Sequence, residues 1–138
     1  MATYDLSAIL RALILSLPTV VAVVGQRVFL AAELPAGYDP KAVTTNPTLT
    51  GPAILFSDRG GRPGSTSVLL DSIYHAECYA VDYPTVRTLD HLLFTALHDR
   101  SVGRIRSVRC TTTGQPLIAP RTNWHLAVSV WQVTTVIA

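Results

Sequence analysis

Charged residues are scarce in this sequence. They make up 14% of the 138 residues, against roughly 25% in a typical soluble domain, whereas hydrophobic residues make up 49%. The net charge is only +2, so the electrostatic field of the whole chain does not favour a nucleic-acid-binding protein. A small protein with so little charge has more apolar surface than a monomer readily leaves in water. The composition therefore favours a chain that buries surface against copies of itself over a tightly folded monomer.

Cysteine and long hydrophobic runs are also in short supply. Cys78 and Cys110 are too few for a disulfide scaffold at this length, and each falls in a predicted strand, so we expect two free, buried thiols. The longest apolar run, 12–24, has about thirteen residues, against the roughly 20 that a membrane span needs, and Pro18 interrupts it. Asp5 stands where a secretion signal would carry positive charge. We therefore expect a soluble chain with neither a membrane span nor a signal peptide.

Residue patterns typical of catalysis are missing. Glu33 and Glu77 are the only glutamates in the sequence, and they do not form a recognisable acid–base pair. No Gly-x-Ser-x-Gly nucleophile motif occurs, and neither cysteine begins a predicted helix, where its thiol would be activated. His91 and His98 are seven residues apart on a predicted helix, whereas helical metal ligands are spaced by three or four. We therefore predict no enzyme, no cofactor and no metal, and we interpret the strand histidines as surface or interface residues.

The most informative segment runs from Leu69 to Leu97. Its first half alternates with period two, which is typical of a strand, and its second half repeats apolar residues at helical spacing. Pro84 suits the first position of a helix, because its missing N–H is not needed there. The segment therefore predicts a strand at 69–81 and a helix at 84–99. The strand face expected against the helices is the smaller and more apolar one: Tyr74, Ala76, Cys78 and Ala80.

Shorter patterns place the other elements. A helix is expected from Asp5, as its N-cap, to Leu17, followed by a second helical segment from Pro18 to Gly25. Further strands are expected at 27–30, 53–58, 104–112 and 123–136, and loops at 31–52, 59–67 and 113–122. This order predicts one domain spanning 1–138, of the α+β class. Its sheet is expected to be mostly antiparallel and four- to five-stranded, with the helices packed on one face.

The last predicted strand has two apolar faces. The face placed in the core contains Trp124, Leu126, Val128 and Val130. The opposite face carries His125, Trp131 and Val133, and it is too apolar to be left in water. We therefore predict that these three residues, together with Tyr79 of the preceding strand, contact a neighbouring subunit. Changing Trp131 to Asp is then expected to weaken association and to leave the fold intact.

Arginine supplies ten of the eleven basic side chains. Arg59 and Arg62 lie in a glycine-rich stretch that we interpret as a mobile hairpin tip, from which they could touch DNA or the carboxylates of a partner. Arg104, Arg106 and Arg109 favour an edge strand that is protected by charge. With so low a net charge, we expect duplex DNA to bind weakly and without sequence preference.

The order of several short pieces resembles the tail-completion proteins of long-tailed bacteriophages, also called tail-terminator or head–tail joining proteins. After a leading helix, the pieces are Val-Val-Gly-Gln-Arg-Val-Phe at 23–29, Pro-Ala-Ile-Leu-Phe at 52–56, Glu-Cys-Tyr-Ala at 77–80, Asp-Tyr-Pro at 82–84 and Val-Trp at 130–131. The resemblance implies a ring, commonly a hexamer of identical subunits, which caps the tail tube, joins it to the neck and leaves a channel for DNA.

The partners implied by this resemblance are other copies of the chain, the tail tube protein and a neck or head-completion protein, with DNA passing transiently. The implied location is the tail or neck of a virion assembled in the host cytoplasm, with no membrane involved. The long loop at 31–52 and the extended loop at 113–122 depart from the family pattern. We expect the first to dock a partner or a neighbouring subunit and not to build the core. The alternative is a small ligand-binding or enzymatic α+β domain with an unrecognised pocket.

Overall fold

The computed structural model describes residues 6–40, 49–63, 69–119 and 122–136. These residues form three helices and six strands. The helices are α1 Leu6–Leu15, α2 Pro18–Val24 and α3 Tyr83–Leu97; the strands are β1 Val28–Leu30, β2 Ala53–Pro63, β3 Leu69–Ala80, β4 Arg100–Val102, β5 Ile105–Ile118 and β6 His125–Val136. The strands form one sheet in the order β1-β2-β3-β6-β5-β4.

The sheet is mixed. β1 pairs with β2 in parallel, and the other neighbouring strands are antiparallel. The α+β class is thus confirmed, and four of the five strand pairs are antiparallel, but the sheet is mixed and has six strands, so the expected number of four to five strands is wrong. The parallel pair arises because the segment at 31–52 crosses back to the end of the sheet at which β1 began, as parallel neighbours require. The extra strand arises because Gly103, at φ 54°, turns the chain between β4 and β5.

The two N-terminal helices meet at Pro18, as the sequence predicts. Gly25 ends α2 with a positive φ of 56°, a conformation that glycine adopts without steric cost. Leu10, Ile14, Val20 and Val24 are fully buried, whereas Asp5, the expected cap of α1, lies outside the described residues. Within the described ranges no single helix is long and apolar enough to cross a membrane. Together α1 and α2 have the length and composition of a span, but they are bent by 91° at their junction.

The join between β3 and α3 also agrees with the sequence. The Asp82 side chain accepts a hydrogen bond from the backbone N–H of Thr85 at 2.8 Å, so it is the N-cap of a helix whose first turn contains Pro84. The helix ends at Leu97, close to the expected boundary. Its buried side chains recur at three- and four-residue steps and are Val86, Leu89, Leu93 and Leu97.

One apolar core lies between the helices and one face of the sheet. The four β3 residues expected against the helices are buried, which confirms their face: Tyr74, Ala76, Cys78 and Ala80. Cys78 is buried and Cys110 is half-buried, and both are free thiols. They lie on β3 and β5, which are separated in the sheet by β6. The helix-bearing face therefore forms the main core, and we call the opposite side of the sheet the outer face.

Two segments expected to be loops continue as strands. β2 runs on to Pro63 across an irregularity between Asp58 and Gly61, so 59–63 is strand, while 64–67 lies outside the described residues. β5 runs on to Ile118 across several irregularities of register, so most of the expected loop at 113–122 pairs with β6. Glycine and proline are tolerated there because, at bulges and edge positions, some backbone N–H groups do not pair with a neighbouring strand.

The described parts of the segment at 31–52, residues 31–40 and 49–52, lie against the outer face of the sheet. Tyr38 is only 5% exposed, and Asp39 forms an isolated bridge with Thr50. The expectation that this loop contributes little to the fold is therefore wrong for its described parts, 31–40 and 49–52. Residues 41–48 lie outside the described residues.

Candidate functional site

Two of the four residues predicted at a subunit interface lie in the core. Trp131 is 1% exposed and Val133 is fully buried, so the prediction that they contact a neighbouring subunit is wrong. The Trp131 indole N–H donates a hydrogen bond to Ser129 Oγ at 2.8 Å, which satisfies the buried donor. The opposite, expected core face of β6 is half-buried at Val128 and Val130. The helices thus cover the face that carries Trp131.

The other two predicted interface residues, Tyr79 and His125, are half-buried. The Tyr79 hydroxyl donates a hydrogen bond to Glu77 Oε2 at 2.6 Å, on the outer face of β3. His125 begins β6, where it pairs with Ala80 of β3 and Ile118 of β5. Contact of either residue with a second subunit stays a prediction.

An aromatic cluster attaches Tyr38, in the described stretch 31–40, to the outer face. The Tyr38 ring contacts Phe29, Tyr79 and Trp124 edge to face, with centroid distances of 6.2, 6.3 and 5.6 Å. The Tyr38 hydroxyl donates to the carbonyl of Gly51 at 2.6 Å. Burial raises the pKa of both Tyr38 and Tyr79, so both phenols are neutral near pH 7. These contacts make the loop part of a second, smaller core.

An exposed apolar depression lies where β5 ends and α3 begins. It has a volume of about 500 Å³ and is lined by Tyr83, Pro116, Leu117, Ile118 and His125; we call it the strand-end patch. Leu117 is 48% exposed and Ile118 is 58% exposed. Large aliphatic side chains this exposed and this close together are typical of a surface that is covered by a partner.

A second apolar depression lies at the other end of α3 and β5. It has a volume of about 270 Å³ and is lined by Ile9, Ala12, Leu13, Ser16 and Val102; we call it the helix groove. Val102 belongs to the short edge strand β4, and its side chain is 45% exposed. The chain thus presents two separate apolar surfaces of different shape.

A polar recess separates α3 from the middle of β5. It has a volume of about 370 Å³, and its lining includes Arg87, Asp90, His91 and Gly114. Asp90 accepts a hydrogen bond from the backbone N–H of Gly114, and a Cβ at that glycine would overlap the carboxylate. About two helical turns further along, His98 Nδ1 accepts a hydrogen bond from the backbone N–H of Cys110 at 2.9 Å.

These contacts identify a structural use for the recess. Asp90 of α3 and His98, the C-cap of that helix, accept hydrogen bonds from backbone N–H groups on the side of β5 that β4 leaves uncovered, because β4 pairs with β5 only between Ile105 and Val108. Within 6–40, 49–63, 69–119 and 122–136, no group of three or more His, Cys, Asp or Glu side chains is placed to hold a metal ion. The Asp90 carboxylate therefore helps to hold the edge strand against the helix.

Asp90 makes the stability of the fold depend on pH. Burial raises the pKa of its carboxyl above the ordinary value of 3.8, and the Gly114 hydrogen bond and the nearby Arg87 and His91 only partly oppose this. Because the folded state holds the proton more tightly, the stabilisation is present below pH 3.8 and is lost as pH rises through the folded-state pKa. We expect Asp90→Asn to remove this loss of stability, because asparagine cannot ionise. Its side-chain oxygen can still accept the hydrogen bond from Gly114.

The measurement compares urea denaturation midpoints of wild type and Asp90→Asn between about pH 3 and pH 7. The wild type should lose stability relative to the variant as pH rises. Asp58→Asn, at an exposed carboxylate on β2, is the matched control and should follow the wild type. Parallel curves for wild type and Asp90→Asn would contradict the assignment.

The arginines proposed to reach DNA or a partner lie on the far part of β2. Arg59 is exposed, and the backbone N–H of Gly60 next to it donates to Asp58 Oδ1 at 2.8 Å. Arg62 lies in the same strand, opposite Asp71 of β3. Their contact with DNA or a partner stays a prediction.

Sequence reasoning missed most of the strand-end patch and all of the helix groove. Leu117 and Ile118 follow Pro116 in a stretch interpreted as a loop, and two adjacent aliphatic residues in a loop were the available signal. Val102 gave no comparable signal, because its exposure depends on the short strand β4. His125 is the one predicted interface residue that lines either depression.

Comparison with known proteins gives a likeness in fold. No protein-family model matches the chain, and no curated protein matches it in sequence. A chain in the solved structure described as "Virion of native gene transfer agent (GTA) particle" superposes with a TM-score of 0.61 at 13% sequence identity. The likeness covers 97% of this chain and 99% of that one. The protein is therefore similar in its whole fold to a chain of that virion.

Proposed function

We propose that this protein is a structural subunit of a phage-like virion, which forms a ring at the end of the tail tube and joins the tail to the neck. The observation that carries the proposal is the likeness in fold to a chain of a gene transfer agent virion. Because that likeness spans nearly all of both chains, it concerns the complete fold and not a shared motif. At 13% identity it supports a role in a virion without specifying a position in the particle.

The position at the tail end rests on the sequence. The pieces that resemble tail-completion proteins fall on successive elements of the fold: Val-Phe on β1, Ala-Ile-Leu-Phe on β2, Glu-Cys-Tyr-Ala on β3 and Asp-Tyr-Pro at the start of α3. The proposed partners are accordingly other copies of the chain, commonly six in a ring, the tail tube protein and a neck or head-completion protein. DNA would pass through the ring without being held.

The proposed mechanism is mechanical. A ring subunit needs rigid surfaces that bury apolar side chains against its neighbours, and the strand-end patch and the helix groove are surfaces of that kind. A completed ring on the last layer of the tube would leave no site for a further tube subunit and would present a new face to the neck. No bond is made or broken in this process, so no catalytic group is required.

The test is to inactivate the gene in the virus or particle-producing strain that encodes the chain. We expect heads and tails to accumulate unjoined, with tails of uncontrolled length, and purified protein added to the extract to restore joining. Labelled protein should be found at the junction of head and tail in electron micrographs. Normal joined particles without the protein, or purified particles that lack it, would contradict the proposal.

A further inference from the structure

We infer that the strand-end patch of one copy docks into the helix groove of the next, so that the copies join head to tail. This inference rests on the proposed function, because it names the surfaces by which the subunits of the ring would meet. Its occupant is a second copy of this chain. Three observations support it: the placement of the two surfaces, their shapes and their charges.

The two surfaces lie at opposite ends of the same layer. Tyr83 of the strand-end patch begins α3, and Val102 of the helix groove follows the end of that helix. A helix of this length rises by about 20 Å, so the two surfaces of one copy cannot meet each other. A contact between two different surfaces on identical chains repeats from copy to copy and gives either a closed ring or a filament.

The shapes of the two surfaces are complementary in kind. Ile118 pairs with His125 and lies with it on the helix-bearing face at the end of β5, where 58% of its side chain is exposed. The helix groove has small side chains, Ala12 and Ser16, one helical turn apart among larger apolar residues. The exposed Ile118 side chain of one copy can therefore enter the depression of the next, which is how central interface residues are usually buried.

The charges beside the two surfaces are opposite. Asp82, next to Tyr83, is exposed, and its hydrogen bonds with Thr85 lower the pKa of its carboxyl, so it is ionised near pH 7. Arg100 and Arg104 stand two residues before and two residues after Val102, and both are exposed. Head-to-tail docking brings the carboxylate towards these guanidinium groups. Arg87, whose Cζ lies 6.0 Å from the centroid of the Tyr83 ring, stands beside the strand-end patch and offsets part of the charge of Asp82.

The test uses two variants, each of which blocks one surface. Ile118→Asp places a charge in the strand-end patch, and Ala12→Glu fills the helix groove and repels Asp82. Both positions are exposed in the subunit, so both variants should fold, which circular dichroism can check. Sedimentation velocity of each variant should show association weakened at least about tenfold relative to wild type. Thr88→Glu, at an exposed position in the middle of α3, is the matched control and should associate like wild type.

Mixing the two variants distinguishes head-to-tail docking from other arrangements. An equimolar mixture should form dimers and stop there, because the Ala12→Glu copy keeps an intact strand-end patch and the Ile118→Asp copy keeps an intact groove. Asp82→Asn should weaken wild-type association in a salt-dependent way, since asparagine caps a helix about as well as aspartate and removes only the charge.

Other outcomes overturn the inference. Full association of Ala12→Glu alone would show that the strand-end patch pairs with itself, and full association of both variants would show that neither surface is used. A wild-type chain that stays monomeric at every concentration, or a mixture that stays monomeric, would also overturn it. The presence of the protein at the head–tail junction is measured separately, so these results leave the proposed function to be decided by that measurement.

Discussion

Replacing Trp131 with alanine is expected to lower the free energy of unfolding by about 3–5 kcal/mol. The side chain is 1% exposed, and its ring lies 6.5 Å from the rings of both Phe56 and His98, measured between centroids. Removing it leaves a cavity at the centre of the core, and it leaves Ser129 Oγ without the donor that it now binds. Both effects act on the isolated subunit.

Urea denaturation followed by far-UV circular dichroism measures this loss. Gln132→Ala is the matched control, because Gln132 is the next residue on the same strand, is half-buried and lies on the outer face. It should change stability by less than about 1 kcal/mol. Trp131→Asp should prevent folding altogether, because a charge would be buried without a partner. A folded Trp131→Asp subunit that merely failed to associate would contradict the observed face of β6.

Replacing Tyr38 with alanine is expected to cost about 3 kcal/mol, although Tyr38 belongs to a segment without regular structure. Its ring contacts Phe29, Tyr79 and Trp124 on the outer face. Its hydroxyl donates a hydrogen bond to the carbonyl of Gly51, which joins the two ends of the segment. The loss of the ring should release 31–40 and 49–52 from the sheet.

Tyr38→Phe separates the two contributions. It keeps the ring contacts and removes the hydrogen bond to Gly51, so we expect a cost of about 1 kcal/mol. Glu33→Ala, at an exposed position of the same segment, should have the stability of wild type. The check is thermal and urea denaturation of all four proteins in the unassembled state. Wild-type stability of Tyr38→Ala would mean that the segment becomes ordered only in an assembly.

The elements that sequence patterns predicted best are those with a local cause. The start of α3 depends on Asp82 and Pro84 within one turn, and the break between α1 and α2 depends on Pro18 alone. The apolar face of β3 was predictable because its alternation is strong, with Ala76, Cys78 and Ala80 on one side and His75 and Glu77 on the other.

The faces of β6 could not be predicted in the same way. Leu126, Val128 and Val130 alternate with Ala127, Ser129 and Trp131, so both faces are apolar and periodicity cannot choose between them. The choice depends on tertiary contacts: the helices pack over Trp131, and Tyr38 packs against Tyr79 and Trp124 on the other face. This second layer explains the surplus of apolar residues that composition suggested would lie at an interface.

The extended strands and the candidate surfaces have non-local causes. Gly114 fits in β5 because the Asp90 carboxylate approaches its backbone closely, and that neighbour is 24 positions earlier in the chain. Leu117 and Ile118 are exposed because β5 extends well beyond the part that pairs with β4. Neither pairing can be inferred from the residues of β5 alone, so a proline-bearing strand was interpreted as a loop.

The attachment of α3 to β5 also limits unwanted strand pairing between copies of this chain. Cys110 and Gly114 already donate their backbone N–H groups to His98 and Asp90, and Pro116 has no N–H to offer. A strand from another chain would have to displace the side chains of His98 and Asp90 to pair with this edge. At Pro116 it would still meet a backbone position that cannot donate a hydrogen bond. Edge pairing of that kind is the first step towards cross-β fibrils. Newly made copies can therefore accumulate to high concentration without this edge seeding amyloid.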